Sequence, residues 1–160
     1  MNSHPDLEAM ARDVIDTNRY LTLGTTEQDH RPRLSPVYFT HHAYRDFYWV
    51  SSPQARHSSN IAARPDIAIV IFDSTAEIGQ GRAVYLTATA TIVADTDLAR
   101  RCAEALARVD ARAKRFEPHE LSGDAALRLY CAHAERYEVH IRGRDPVHGR
   151  GVDTRHEVRL

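Results

Sequence analysis

One uninterrupted run, Ala83-Val84-Tyr85-Leu86-Thr87-Ala88-Thr89-Ala90-Thr91-Ile92-Val93, constrains this chain more than any other stretch. It is rich in residues that favour strands, holds neither Gly nor Pro, and is long for a strand. Its edges need partners, and neighbouring runs supply them. Tyr20 to Thr26 reads as a strand, the turn Gln28-Asp29-His30-Arg31-Pro32 follows, and Leu34 to Thr40 reads as a second strand. After a short connection, His41 to Arg45, comes Asp46 to Ser51; Ile67 to Phe72 is apolar throughout, as a buried strand would be, and Arg136 to Ile141 alternates. Four helical patterns surround these strands. The first opens at Pro5, with Ser3 or His4 as its cap, and repeats Leu7, Met10, Ala11, Val14 and Ile15. The second is capped by Ser52, with Pro53 in its first turn, and stops before Pro65. The third starts near Asp95 and repeats Leu98, Cys102, Ala105, Leu106 and Val109; the fourth runs from Ser122 through Leu127 and Tyr130 to His133. Strands joined by short turns, without alternating βα units, imply a mainly β fold: an antiparallel barrel with peripheral helices.

Composition narrows the function classes. The 160 residues suit one domain, and the formal net charge of −1 excludes a general nucleic-acid binder. No apolar run is long enough to span a membrane as a helix. Lys114 is the only Lys, so positive charge is nearly all Arg, whose planar fork suits phosphate and carboxylate. Cys102 and Cys131, both placed in helical stretches, form no CxxC pair, which leaves zinc and dithiol chemistry without support. His41 and His42 are adjacent and would face opposite sides of a strand; with no HExxH, no metal site is expected. There is no GxSxG nucleophile elbow. The opening residues lack a basic region followed by an apolar one, so a cytoplasmic location with reduced thiols is the expectation.

Three segments carry chemistry. Val50-Ser51-Ser52-Pro53-Gln54-Ala55-Arg56-His57-Ser58-Ser59-Asn60 joins a strand to a helix, and a helix N-terminus flanked by hydroxyls and an Arg favours an anion. Arg33-Leu34-Ser35-Pro36-Val37-Tyr38 puts a Pro inside a strand, which marks an edge, a bulge or a ligand-facing backbone. Gly79-Gln80-Gly81-Arg82 precedes a strand, so it fails the context of a dinucleotide fingerprint and reads as a turn that aims Gln80 and Arg82 off a barrel rim.

In this order the segments resemble the pyridoxamine 5'-phosphate oxidase-like family of FMN-binding split barrels, over about Asn18 to Val93 and again at Arg136 to Ile141. The closest local likeness is Phe47-Tyr48-Trp49-Val50-Ser51-Ser52 followed by Arg56-His57, Asn60-Ile61 and Pro65. The resemblance implies a homodimer with two flavins at the subunit interface, and one flavin-binding domain over residues 1–142. Arg33, Ser35, Pro36 and Val37 would line the flavin ring and ribityl chain. Ser51 and Ser52 would meet the phosphate end, and Arg56 would bind the phosphate. His57 stands where family members often carry a Lys. Gln80, Gly81 and Arg82 would reach the flavin from the partner subunit. The namesake enzyme's Arg-x-His-Asp-Arg motif is replaced here by Asp153-Thr154-Arg155-His156-Glu157, within a polar tail of residues 143–160 expected to be loop-like, with a short strand at Glu157 to Leu160. The tail either stays solvated or folds over the pocket with Arg155 or His156 near substrate.

The leading expectation is therefore an FMN-dependent oxidoreductase acting on a small molecule, the flavin carrying the electrons. The alternatives are a reductase using the 8-hydroxy-5-deazaflavin coenzyme in the same groove, and a non-catalytic flavin-binding carrier or sensor. No catalytic residue stands out.

Overall fold

The computed structural model describes residues 4–160. Ser3, one of the two expected caps of the first helix, lies outside them. His4 occupies the cap position, without a side-chain bond, ahead of α1 (Pro5–Thr17), which buries Leu7, Ala11, Val14 and Ile15. The strands are β1 (Tyr20–Thr26), β2 (Pro32–Tyr38), β3 (Thr40–His42), β4 (Asp46–Ser51), β5 (Asp66–Phe72), β6 (Ala83–Ile92), β7 (Arg128–Ile141) and β8 (Thr154–Val158). Helix α2 (Arg56–Ala63) follows β4, and α3 (Leu98–Leu106) follows β6. All pairings are antiparallel, in the order β2-β1-β5-β6-β7-β4-β3, with β8 added to β7.

The expected mainly β architecture is present. The sheet curls until β2 approaches β4, yet no ladder joins them, so the barrel is split there. Pro36 lies in β2 at this unpaired edge, where a missing N–H costs no ladder bond. Inside, Leu21, Leu23, Ile69, Ile71, Val84 and Val139 belong to one core together with the apolar face of α1. Outside, α3 lays Leu98, Cys102 and Ala105 against Tyr48, Leu129 and Cys131 to make a second core. Those three positions are spaced as one helical face.

That second core explains the largest departure from the sequence reading. Ser122 to His133 is not a helix: residues from Arg128 onward begin the 14-residue strand β7, which continues through the expected strand at Arg136–Ile141. Leu129, Tyr130, Cys131 and Ala132 are all buried, because α3 covers one face and the barrel interior the other. A strand buried on both faces loses its alternation and cannot be told from a helix by period. Cys131 is consequently a strand residue, and both thiols are free and buried. The connection expected at His41–Arg45 is shorter than expected: β3 pairs with β4, and Ala43 and Tyr44 turn the hairpin with φ of 51° and 53°. The tail is not a loose terminus either, since β8 extends β7, with Tyr137 opposite Val158 and Ile141 opposite Thr154.

His41 and His42 do face opposite ways. His41 is 4% exposed, with Nε2 2.8 Å from Asp16 Oδ1, while His42 points to solvent. Burial, followed by the charge of Arg108, outweighs Asp16 and holds the His41 pKa below its usual range. Burial also lowers His57 and His156. Unfolded, each would titrate near pH 6.5. Below that pH the unfolded chain binds more protons than the folded one, so stability is full above about pH 6.5 and declines as pH falls toward about 5. Urea midpoints at constant ionic strength across that interval should fall; a flat profile would contradict the burial of these imidazoles.

Candidate cofactor site

Ser51 closes β4, and the chain then turns sharply into α2. Ser52, Pro53, Gln54 and Ala55 form that turn: the Ala55 N–H donates to the Ser52 carbonyl (3.0 Å), and the Gln54 N–H donates to Ser52 Oγ (3.2 Å). Pro53 sits where its fixed φ favours a turn. The helix therefore starts at Arg56, not at Pro53, and Ser52 caps the turn instead of the helix. Ala55 is extended (ψ 144°) and offers α2 no side-chain cap; no acidic residue lies in its first turn. The Ser59 N–H is the first to bond back within the helix, to Ala55. The N–H groups of Arg56, His57 and Ser58 are thus the uncapped donors of a helix N-terminus.

Asn60 fixes this helix to the barrel, its Nδ2 donating to Thr25 Oγ1 at 3.0 Å with both side chains buried, while Ile61 enters the core. Around the N-terminus, Ser51 Oγ and His57 Nε2 share a hydrogen bond of 2.8 Å. His57 is held neutral by burial and then by the nearby Arg33 charge. Arg33 donates its Nε to Glu27, leaving its terminal nitrogens available. Arg56 is exposed and has no ion pair among the described residues.

A cavity of about 440 Å3 opens beside Ser51 and His57. Pro36, Val37 and Tyr38 form one wall, β4 the floor, and α3 with the segment 109–121 the other wall. The lining is mostly apolar, with Trp49, Phe116 and Leu129 among it, which is the usual character of a site for a planar organic ring. Among the described residues, three buried side-chain polar atoms lack a partner, and two belong to this region: Trp49 Nε1 and Ser58 Oγ. Free amides, hydroxyls and a guanidinium at one end of an apolar cavity fit a ligand with a phosphate at one end and a flat ring at the other.

Of the residues expected at the site, the structure brings Pro36, Val37, Ser51 and His57 to this cavity. Ser52 and Arg56 do not line it but are the chain neighbours of Ser51 and His57, and Ser35 lies on β2 beside Pro36. Gln80, Gly81 and Arg82 are exposed elsewhere. Arg142 donates to the Gly79 carbonyl (3.0 Å) and to Gln80 Oε1, and Arg82 pairs with Asp13 at 2.8 Å. They precede Val84, which pairs with Val139, whereas Ser51 pairs with Arg128. Eleven residues of β7, about 36 Å of strand, separate the two levels. Of the two glycines, only Gly79 uses a positive φ, 79°. Sequence reading missed the α3 wall and the segment 109–121, where Phe116 and Leu121 are apolar islands among charges.

The sequence matches the family described as pyridoxamine 5'-phosphate oxidase over residues 7–140. Among curated proteins no match was found. Similar solved structures include a heme binding protein from Mycobacterium smegmatis (TM-score 0.70, 19% identity), with 98% of this chain aligned to 60% of that one. A Clostridium acetobutylicum protein of the pyridoxinephosphate oxidase family, related to general stress protein 26 of B. subtilis, aligns with a TM-score of 0.62 at 12% identity, covering 95% of this chain and 93% of that one. An F420 reductase aligns with a TM-score of 0.58 at 14% identity, covering 79% and 94%. Identities this low establish the shared split-barrel fold and nothing finer.

Proposed function

Because the chain belongs to the pyridoxamine 5'-phosphate oxidase family, we propose that it is a flavin-dependent oxidoreductase that holds FMN at the start of α2 and acts on a small molecule. The observation that carries this reading is the uncapped N-terminus of α2, whose His57 lines a 440 Å3 apolar cavity together with Ser51, with the exposed Arg56 next to His57 in the chain. The N–H groups of Arg56, His57 and Ser58 and the Ser51 and Ser52 hydroxyls would bind the phosphate. Arg56 would supply the charge that the neutral His57 does not. Pro36, Val37 and Trp49 would hold the ring and keep water from it. Bound there, the flavin would supply the electron transfer.

The reading includes a homodimer. The barrel is split, and Ile78, next to the Gly79–Arg82 turn, is fully exposed. Reaching a partner would let Gln80 and Arg82 meet the partner's flavin. Their present bonds to Arg142 and Asp13 are exposed, and such pairs exchange at little cost. Sedimentation showing only monomer at micromolar concentration would remove this part.

An absorption spectrum of freshly purified protein tests the cofactor. Bound FMN gives a yellow protein with flavin bands, and turnover with a reductant and an acceptor separates an enzyme from a carrier. A colourless protein that binds added 8-hydroxy-5-deazaflavin coenzyme would favour the reading suggested by the F420 reductase likeness. An intense porphyrin band would instead favour the activity named for the mycobacterial neighbour.

A further inference from the structure

The lining of the 440 Å3 cavity divides by chemistry. Ser51 and His57 bring polar groups to it, whereas α3 and the segment after it contribute an apolar wall. Residues 107–120 are rich in charge, yet Val109, Ala113 and Phe116 are what most of that segment turns inward. Leu106, at the end of α3, and Leu121 continue the wall. Leu106 and Phe116 stay only partly buried, so apolar surface is left for a ligand to cover.

We propose that this α3 wall is the substrate subsite, and that it takes an uncharged, largely apolar ring compound carrying no more than a neutral oxygen, such as a phenol or an aryl ketone. The assignment rests on the reading of the Ser51–His57 side as the flavin site and names a substrate class for it.

The charges around the wall are already matched. Arg108 pairs with Asp16, Arg112 with Asp110, Arg128 with Asp95 and Arg101 with Asp46. Arg115 is exposed and does not line the cavity. Among the described residues that do line it, Lys114 alone carries a formal charge, since burial keeps His57 neutral. Lys114 donates its Nζ to one oxygen of Glu120 (2.8 Å), and the other oxygen accepts the Glu117 N–H (2.9 Å). Glu120 is thus held in place beside the ammonium. Glu117 lies off the lining and turns its carboxylate to the Glu120 N–H. Burial, and then the charge of Glu117, pushes the Cys102 thiol up and keeps it uncharged. The hydroxyls are engaged as well. Tyr48 donates to Glu104 and accepts from Arg101, while Tyr38 accepts the Asp110 N–H (2.8 Å) and keeps its own proton to donate. An ion of either sign would lose its water here without gaining a free partner, whereas an apolar ring pays no such cost.

Three ligands that share one ring and differ in charge test this: naphthol, naphthoate and naphthylmethylammonium. Calorimetric titrations run at about pH 7, with and without saturating FMN. Naphthol should bind saturably, about tenfold or more tighter than either ion, and should still bind when FMN is present. Glu120→Gln keeps an acceptor for the Glu117 N–H but frees the Lys114 charge. It should tighten naphthoate about fivefold and leave naphthol unchanged. Leu106→Asp adds a lone carboxylate to the wall and should weaken naphthol about tenfold. Far-ultraviolet circular dichroism of each variant checks that it folds. No saturable naphthol binding, or an ion bound as tightly as naphthol, would overturn the proposal. So would unaltered naphthoate affinity in the folded Glu120→Gln protein, or unaltered naphthol affinity in folded Leu106→Asp. Exclusion of naphthol by FMN would mean that the flavin itself covers the α3 wall, and would overturn it equally. A protein that binds naphthol but takes up no FMN would overturn the flavin reading and leave the preference of the wall for uncharged rings standing.

Discussion

Replacing Arg56 by Ala is expected to weaken FMN binding by about ten- to a hundredfold, the loss of roughly 1.5–3 kcal/mol that a charge-assisted hydrogen bond supplies. Riboflavin, which has no phosphate, should bind the variant as well as it binds wild type. The effect is large because no other charged group near α2 substitutes for Arg56. His57 is held neutral by burial and by Arg33, and Arg33 itself is committed in part to Glu27. Thermal stability should hardly change, since Arg56 is exposed and carries no ion pair among the described residues. Fluorescence titrations with both ligands decide the matter. Trp49, the only Trp, lines the cavity and should be quenched by the bound ring. Equal losses for FMN and riboflavin would mean that Arg56 supports the fold or the ring instead of the phosphate.

Arg101→Met is expected to destabilise the protein by about 2–4 kcal/mol, somewhat less than breaking a fully buried ion pair. One nitrogen of Arg101 donates to Asp46 (2.9 Å), to Tyr48 (2.7 Å) and to Glu104 (3.1 Å), which joins α3 to β4 at the edge of the second core. Asp46 and Glu104 have side-chain exposures of 14% and 20%, so their charges are poorly served by water once the guanidinium is gone. Burial pushes Asp46 up, but bonds from His133 and Arg101 hold it below the usual carboxylate range; Tyr48 and Arg101 do the same for Glu104. In wild type these depressed carboxylates contribute stability above about pH 4, the unfolded range, and lose it as pH falls through their folded values. The variant lacks that contribution, so its deficit should be largest near neutral pH and narrow on acidification. Urea unfolding at about pH 7 and about pH 3 measures both. Adding Asp46→Asn and Glu104→Gln should restore part of the loss. A deficit independent of pH would point to lost packing of the Arg101 stem.

The strands around the barrel were legible because local pattern and tertiary role agree there. Ile67–Phe72 is apolar, and the long run from Ala83 has the residues and the length of a central strand. The strand, turn and helix at Ser51–Asn60 were legible for a similar reason, since the cap-forming hydroxyls, the Pro and the helical stretch are contiguous. Even so, the helix begins three residues later than expected, because the Pro53 turn satisfies Ser52 locally.

What sequence alone determined was the antiparallel barrel and the strand–turn–helix order around Ser51–Asn60, while it left Pro36 open between an edge, a bulge and a ligand-facing position. What only the tertiary structure decided is everything made by segments far apart in the chain. Leu129 to Ala132 became strand because α3 and the barrel interior bury opposite faces of it, which overrides local propensity. The apolar cavity needs β2, β4 and the segment 109–121 at once, and residues 109–121 carry no periodic signal. The polar tail gained a strand because β7 is long enough to leave a free edge beyond β4, from Tyr137 to Ile141, and a backbone edge of that kind accepts almost any extended sequence that reaches it. Pairing there depends on N–H and C=O groups that every residue except Pro supplies in the same way, so no side-chain pattern could announce it.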